Sequence, residues 1–138
     1  MRYYLDTNLL IFILSHQDDS ISWKVSDIIF DFSNILYTSS VAVNELILLH
    51  KTDNVKLSDC KSAEDIISKI EQFDIKIVYY NQYHLAKYAA LDLVDGHKDM
   101  NDHAIIAQAI SDKIPLISSD TKFQYYTGQG LDFIFNKR

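Results

Sequence analysis

The sequence predicts an α/β domain built on a parallel sheet, and three observations carry that prediction. Short apolar segments of strand length alternate with segments of helical periodicity along the 138 residues, the pattern of parallel strands joined by crossover helices. Only three Gly and one Pro occur, so the regular elements are long and their joints short. Hydrophobic residues make up 48% and charged residues 23%, the balance of a chain that buries a core and folds by itself. That length fits one domain, taken as residues 1–138.

Arg2 to Leu5 is aromatic and apolar and reads as a strand. Asp6-Thr7-Asn8 interrupts it before an apolar helix through Leu14. Trp23, Ile28, Ile29 and Phe32 give partial helical spacing between Ser20 and Ser33, and Ile35 to Thr38 is the second strand. Ser39 or Ser40 caps a helix to about Leu49, followed by a loop at Lys51-Thr52-Asp53-Asn54. Ser62 or a neighbour caps Ala63 to Phe73, where Ile66, Ile67, Ile70 and Phe73 recur at three- and four-residue spacing. Ile75, Ile77 and Val78 form a buried strand, and Asn81 caps a helix through about Val94. After the break at Asp95-Gly96-His97-Lys98, a helix begins near Asp102 with Ile105, Ile106, Ala109 and Ile110 on its apolar face. Pro115 stops it, Leu116 to Ser118 is a strand, Gly128-Gln129-Gly130 is a turn, and Leu131 to Phe135 is the last short strand.

Composition excludes several classes. The longest apolar stretch, Leu9 to Leu14, is far shorter than the roughly 20 residues that span a bilayer, so no membrane association is expected. No secretory signal pattern follows the first residues, and Cys60 is the only cysteine, which rules out an internal disulfide and a thiolate zinc cluster. A cytoplasmic setting is the expectation. Thirteen Lys and Arg against nineteen Asp and Glu give a net charge of −6, which opposes passive binding of phosphates. That argument reverses if the acids gather in one pocket around a divalent cation.

The informative feature is where four carboxylates fall. Asp6 and Asp120 each follow the carboxyl end of a predicted strand, where open α/β sheets bind their ligands. Glu45 stands four residues after Val41 and three and four before Leu48 and Leu49, which puts it along its helix's apolar stripe. Asp102 holds the same relation to Ile105 and Ile106. Carboxylates turned toward a core must be paired, hydrogen-bonded or metal-bound, and few basic residues are close in sequence. Oxygen-only ligands select Mg²⁺ or Mn²⁺. Each acid also fits a plainer role: Asp6 and Asp120 as caps of the segments after them, Asp99 and Asp102 as a capping box in which Asp99 is the cap. Glu45 has no such alternative.

Other constellations carry less. The His residues at 16, 50, 84, 97 and 103 lack zinc-binding spacing, so surface or loop roles are expected, with His97 and His103 flanking the Asp102 turn. No G-x-S-x-G elbow occurs, Cys60 has no His nearby, and Gly128-Gln129-Gly130 is no phosphate loop.

Taken together, the motifs resemble those of PIN-domain ribonucleases, in particular VapC-like toxins of toxin–antitoxin pairs. Leu5-Asp6-Thr7-Asn8 is similar to the family's opening motif, and Val43-Asn44-Glu45-Leu46 to its second. The third is matched by Asn101-Asp102-His103-Ala104-Ile105-Ile106-Ala107-Gln108-Ala109, and the fourth by Leu116-Ile117-Ser118-Ser119-Asp120 with Phe123. The resemblance covers nearly the whole chain and implies a three-layer α/β/α PIN-like domain with a central parallel sheet of four to five strands. It implies a Mg²⁺- or Mn²⁺-dependent endoribonuclease with Asp6, Glu45, Asp102 and Asp120 as metal-binding and catalytic residues. Asp6 and Asp102 would ligate the metal directly, and Glu45 and Asp120 would complete the site or activate water. Thr7 and Asn8 would support Asp6, Ser118 or Ser119 would replace the Thr often found before the fourth acid, and Asp99 would match an additional upstream acid. Lys51, Lys98 and Lys122 would attract the RNA backbone, and exposed Tyr or Phe would stack on unpaired bases. The implied partners are RNA, a cognate antitoxin protein and a second copy of the chain in a homodimer.

Two other classes compete. A haloacid-dehalogenase-like phosphatase or a receiver domain also places Asp at strand ends, but D-T-N lacks the second Asp of the phosphatase motif, and a receiver's paired acids and late Lys are not evident. A silent PIN-like binding module would have lost acids, and all four are present. An RNA-processing PIN nuclease that is not a toxin is the alternative within the family, although such proteins often carry further domains.

Overall fold

The computed structural model describes residues 1–138. Five strands form one parallel sheet in the order β3-β2-β1-β4-β5: β1 Arg2–Leu5, β2 Ile35–Ser39, β3 Ile75–Val78, β4 Leu116–Ser118 and β5 Phe133–Phe135. The helices are α1 Thr7–Leu14, α2 Trp23–Ile29, α3 Ser40–Lys51, α4 Ala63–Gln72, α5 Gln82–Ala90 and α6 Met100–Asp112. The chain passes from β1 outward to β3 and then back across β1 to β4, and crossovers between parallel strands are right-handed as a rule. The elements joining β1 to β3 therefore cover one face and α5–α6 the other, the three-layer α/β/α arrangement. In contact terms, α1, α3 and α4 pack together while α5 packs on α6.

The centre of the sheet is its driest part. β1 is paired on both sides, with Leu5 opposite Thr38 and Ile117, and Tyr4, Leu5, Leu116 and Ile117 are almost wholly buried. Strands covered on both faces are continuous apolar runs, which is why these segments read clearly in the sequence. α1 is buried over most of its circumference, with Leu9, Leu10, Phe12, Ile13 and Leu14 in the core. Each such side chain contributes about 1.5–3 kcal/mol through the apolar area it removes from water.

Several expectations change. The segment after Ser20 is a short helix anchored by the buried Val25 and the half-buried Ile28 and Ile29, while Trp23 and Phe32 are exposed. β3 is an edge strand and only partly buried, not a buried one. α5 ends at Ala90, four residues before the expected Val94, and α6 ends at Asp112, where Lys113 with its left-handed φ of 56° stops the helix before Pro115. The last strand starts at Phe133 instead of Leu131, and residues Thr121–Gln129 coil in a 3₁₀ helix closed by Gly130 at φ 104°.

A buried polar network ties the second layer to the sheet. His84 Nδ1 accepts the Asn81 N–H at 3.1 Å, so its Nε2 donates to Asp112, 2.9 Å away. Tyr4 donates to the same carboxylate. Gln108 bridges the Tyr4 hydroxyl and the Val78 carbonyl, and accepts from Ser39.

Candidate active site

The order β2-β1-β4 makes the seam between β1 and β4 the place where the chain's direction of travel across the sheet reverses, and a crevice opens at its carboxyl edge. Asp6 is the first residue beyond β1 at this seam, and its N–H donates to the Ile117 carbonyl at 3.0 Å. Its side chain is 4% exposed and fully engaged. Oδ1 accepts the Thr7 N–H at 2.8 Å, and Oδ2 accepts the Ser118 hydroxyl at 2.7 Å and the Asn8 amide at 3.1 Å. Asp6 thus caps α1 and also faces the crevice, so the two sequence-level roles coexist.

Asn8 reaches further across the seam, accepting the Ser119 N–H on Oδ1 at 3.2 Å. Thr7 contributes through its main chain, while its buried Oγ1 has no partner. The hydroxyl beside Asp6 belongs to Ser118, and the expectation for Ser119 is corrected. Its Oγ accepts from the Asn136 amide at 2.7 Å, and Asn136 also binds Ser20 O and Ser22 N, clamping the end of β5 to the loop before α2.

The other carboxylates arrive from helix starts and strand ends. Asp99 caps α6, accepting the N–H groups of Asn101 and Asp102, but the expected capping box is only half formed, because the Asp102 carboxylate bonds His97 and not the Asp99 N–H. This leaves the Asp102 side chain in the first turn, directed at the crevice, with Oδ2 3.1 Å from His97 Nε2. Asp120 caps the 3₁₀ segment through Lys122 N, and its own N–H donates to Ser118 Oγ at 3.0 Å. Ligand atoms of His97, Asp102 and Asp120 lie within 4.8 Å of one another. Glu45 is half-buried at the margin of α3, whose buried face is Ala42, Val43 and Leu46, while Leu48 is exposed. It is therefore not on the buried stripe, and its partner is Asn101, whose amide donates to Oε2 at 3.3 Å.

The electrostatics join these groups into one cluster. Burial is the main cause that pushes the Asp6 carboxyl up to about 7; the Ser118 hydroxyl opposes it, and the charges of Asp102 and Glu45 add to it. Asp102 is also pushed up to about 7, by burial first and then by Asp99, Asp120 and Glu45, with Lys122 pulling the other way. Two carboxyls near 7 mark a site short of positive charge, and its donors are hard oxygens. That donor set fits a divalent cation such as Mg²⁺ or Mn²⁺.

The cations and histidines fall differently from expectation. Lys122 is exposed and acts on Asp102, and Lys98 is exposed in the turn beside His97. Lys51 is in the last turn of α3, roughly 16 Å along the helix from the sheet's carboxyl edge, and does not join the cluster. His84 and His103 are buried on helices, which corrects the surface or loop roles expected for them, while His97 does sit in the loop between α5 and α6 but is buried there. His97, Tyr126, Asn101 and Asn136 are the residues that sequence reasoning missed or left without a role. Of these only His97 carried a signal, its position flanking the Asp102 turn.

A cavity of about 470 Å³ borders the cluster on the α3–α6 side, lined in part by Asn44, Tyr80, Tyr88, Met100 and Asn101. Another of about 460 Å³, lined by Phe30, Phe32, Ile35 and Phe73 among others, lies at the amino ends of β2 and β3, away from the acids.

The family model of the PIN domain matches residues 3–128. No curated protein matches the sequence significantly. Among solved structures, VapBC2 from Rickettsia felis, bound to a DNA fragment from its promoter, is similar at 20% identity and a TM-score of 0.69, covering 99% of this chain and 100% of that one. VapBC-1 from nontypeable Haemophilus influenzae is similar at 21% identity and a TM-score of 0.64, with 98% of each chain covered. VapBC-5 from Mycobacterium tuberculosis, a member of the VapBC family of toxin–antitoxin systems, gives 19% identity and 0.58, covering 99% and 98%. At these identities the likeness is one of fold, and no helix here is long and apolar enough to cross a membrane. The family match over nearly the whole chain, on a five-stranded parallel sheet with acids gathered at its carboxyl edge, establishes that this chain belongs to the PIN-domain family.

Proposed function

We propose that this PIN-domain chain is a divalent-metal-dependent endoribonuclease, the toxin of a toxin–antitoxin pair, cutting structured RNA such as tRNA or rRNA at an unpaired site. The observation that carries the reading is the electrostatic coupling of Asp6, Glu45, Asp102 and Asp120 at one crevice, with Asp6 and Asp102 held near pKa 7. A phosphodiester is repelled by such a site until a cation is present.

Asp6 and Asp102 would hold Mg²⁺ or Mn²⁺, with Glu45 and Asp120 completing the set. Bound there, the ion supplies positive charge to the scissile phosphate and acidifies a water. The chain's own residues do the rest. Thr7, Asn8 and Ser118 fix the Asp6 carboxylate in one orientation, so little reorganisation precedes reaction. Glu45, half-buried and held by Asn101, is suited to accept the proton of an attacking water. Lys98 and Lys122 supply attraction for the RNA backbone, and the exposed Tyr125 offers a face for an unpaired base.

An antitoxin partner is supported by the VapBC assemblies to which the fold is similar, and the net charge of −6 suits a basic partner segment. The exposed Tyr83, Leu85 and Met100 beside the 470 Å³ cavity favour a homodimer through this helical face. The setting we infer is cytoplasmic.

The test is cleavage of total and transfer RNA by purified protein with Mg²⁺, Mn²⁺ or EDTA, alongside Asp6→Asn and Asp102→Asn. Metal-dependent cutting lost in both variants supports the nuclease and its acids together. A folded protein that binds Mg²⁺, cuts none of these RNAs and hydrolyses a small phosphomonoester overturns the reading in favour of phosphotransfer.

A further inference from the structure

His97 is the one imidazole that touches the acid cluster, and its two ring nitrogens have different partners. Nδ1 is 2.8 Å from the Tyr126 hydroxyl, and Nε2 is 3.1 Å from Asp102 Oδ2. Tyr126 is fully buried, and its oxygen also accepts the Val94 N–H at 3.2 Å. Counting hydrogens decides the direction of the chain. If Nδ1 carried the proton, the Tyr126 oxygen would face two donors and its own buried hydrogen would have no acceptor, an arrangement folded proteins avoid. With Tyr126 donating to Nδ1, every group is satisfied, and Nε2–H points at Asp102.

We propose that His97 is a positioning residue for Asp102 and not a metal ligand: the relay Val94 N–H to Tyr126 to His97 to Asp102 occupies Oδ2 and leaves Oδ1 as the oxygen that would hold a cation. The proposal rests on the metal-dependent reading of the site. The imidazole is held on every side. His103 Nε2 donates to the His97 carbonyl at 2.9 Å and its ring stands edge-on to that of His97 at 4.6 Å, while the rings of Tyr126 and Phe123 lie 5.4 and 6.2 Å away. A side chain so enclosed cannot swing to a new ligand geometry without breaking three contacts. Donating to the ligand's second oxygen is how outer-shell groups orient a carboxylate, and losing such a group costs about 10–100-fold in metal affinity or activity.

The deciding measurement is ¹⁵N NMR of the imidazole rings in the full chain, without metal and after Mg²⁺ addition. The expected result is a protonated Nε2 and a bare Nδ1 on His97 in both states. A bare Nε2 in either state overturns the proposal, because that nitrogen would then be free to ligate. Mn²⁺ binding by His97→Phe, His97→Gln and Tyr126→Phe supplies the second readout. His97→Phe is expected to bind Mn²⁺ about 10–100-fold more weakly, with RNA KM little changed and kcat reduced. His97→Gln, which keeps an N–H near the Nε2 position, is expected to restore most of the affinity, and Tyr126→Phe to fall between. Equal loss in the Gln and Phe variants, both folded, also overturns it. If the wild type binds no Mn²⁺, the metal-dependent reading fails instead, and the NMR result still reports whether the relay exists.

Discussion

The Ser118 hydroxyl donates to Asp6 Oδ2 at 2.7 Å, joining the ends of two strands that lie 112 residues apart in sequence. The same oxygen accepts the Asp120 N–H, so one side chain sets the orientation of one acid and the backbone position of another. Ser118→Ala should lower RNA cleavage by about 10–100-fold, with a parallel loss of Mn²⁺ affinity. Titration calorimetry and single-turnover cleavage would check it, and unchanged metal affinity would count against the role.

Asp6→Asn and Asp102→Asn should separate activity from stability. Each should reduce cleavage by at least about 100-fold, since the proposed ligand role requires a loss larger than that of an outer-shell partner. Yet metal-free Asp102→Asn should melt a few degrees above wild type at pH 8, because it removes a buried charge whose pKa burial has raised, whereas in Asp6→Asn the new amide meets the Asn8 and Ser118 donors and offsets that gain. Calorimetry in EDTA reads this; a lower midpoint for Asp102→Asn would contradict it.

The same two carboxyls set a pH dependence. Their folded pKa of about 7 stands above the ordinary 3.8, so the folded state binds these protons more tightly than the unfolded one. Stability of the cation-free protein from these groups therefore falls as pH rises from about 4 to about 7 and levels off above that. Divalent cation should reverse the loss at pH 8 and should release protons on binding at pH 6.5, visible as a buffer-dependent binding enthalpy.

His84 should matter to folding alone. His84→Phe leaves the Asn81 N–H without its partner and the Asp112 carboxylate with Tyr4 alone, and should cost about 2 kcal/mol. The thermal midpoint should drop by roughly 5–10 °C. Cleavage assayed well below that midpoint should change by less than about twofold.

How far the sequence foretells this arrangement depends on where each residue's reasons lie. Asp6 and Asp120 were legible because strand periodicity ends just before them, and ends of parallel strands are where such sheets bind ligands. Asp99 was legible as a cap because its partners are two and three residues away. His97 was legible only as a neighbour of the Asp102 turn, five residues away, while its bond to Tyr126 and the bonds of Asn136 reach across 29, 114 and 116 residues, distances that no local pattern records. Glu45 was found for an inexact reason. Its helix carries Leu48 on the surface, so the apolar line through Glu45 was not the buried one. Ser118 and Ser119 differ only in which face of the chain they occupy, and β4, at three residues, is too short for alternation to tell them apart.

The strand order has a consequence in time. β1 is made first, yet its neighbour on the acid-bearing side, β4, is made after more than a hundred residues, and the clamp at Asn136 later still. A chain emerging from the ribosome can pair β1 with β2 and expose Asp6 and Glu45 early, but it lacks Asp102, Asp120 and Ser118. The crevice therefore closes only after β4 and the Asn136 clamp have been made, and until then a growing chain carries two of the four carboxylates without the two that face them.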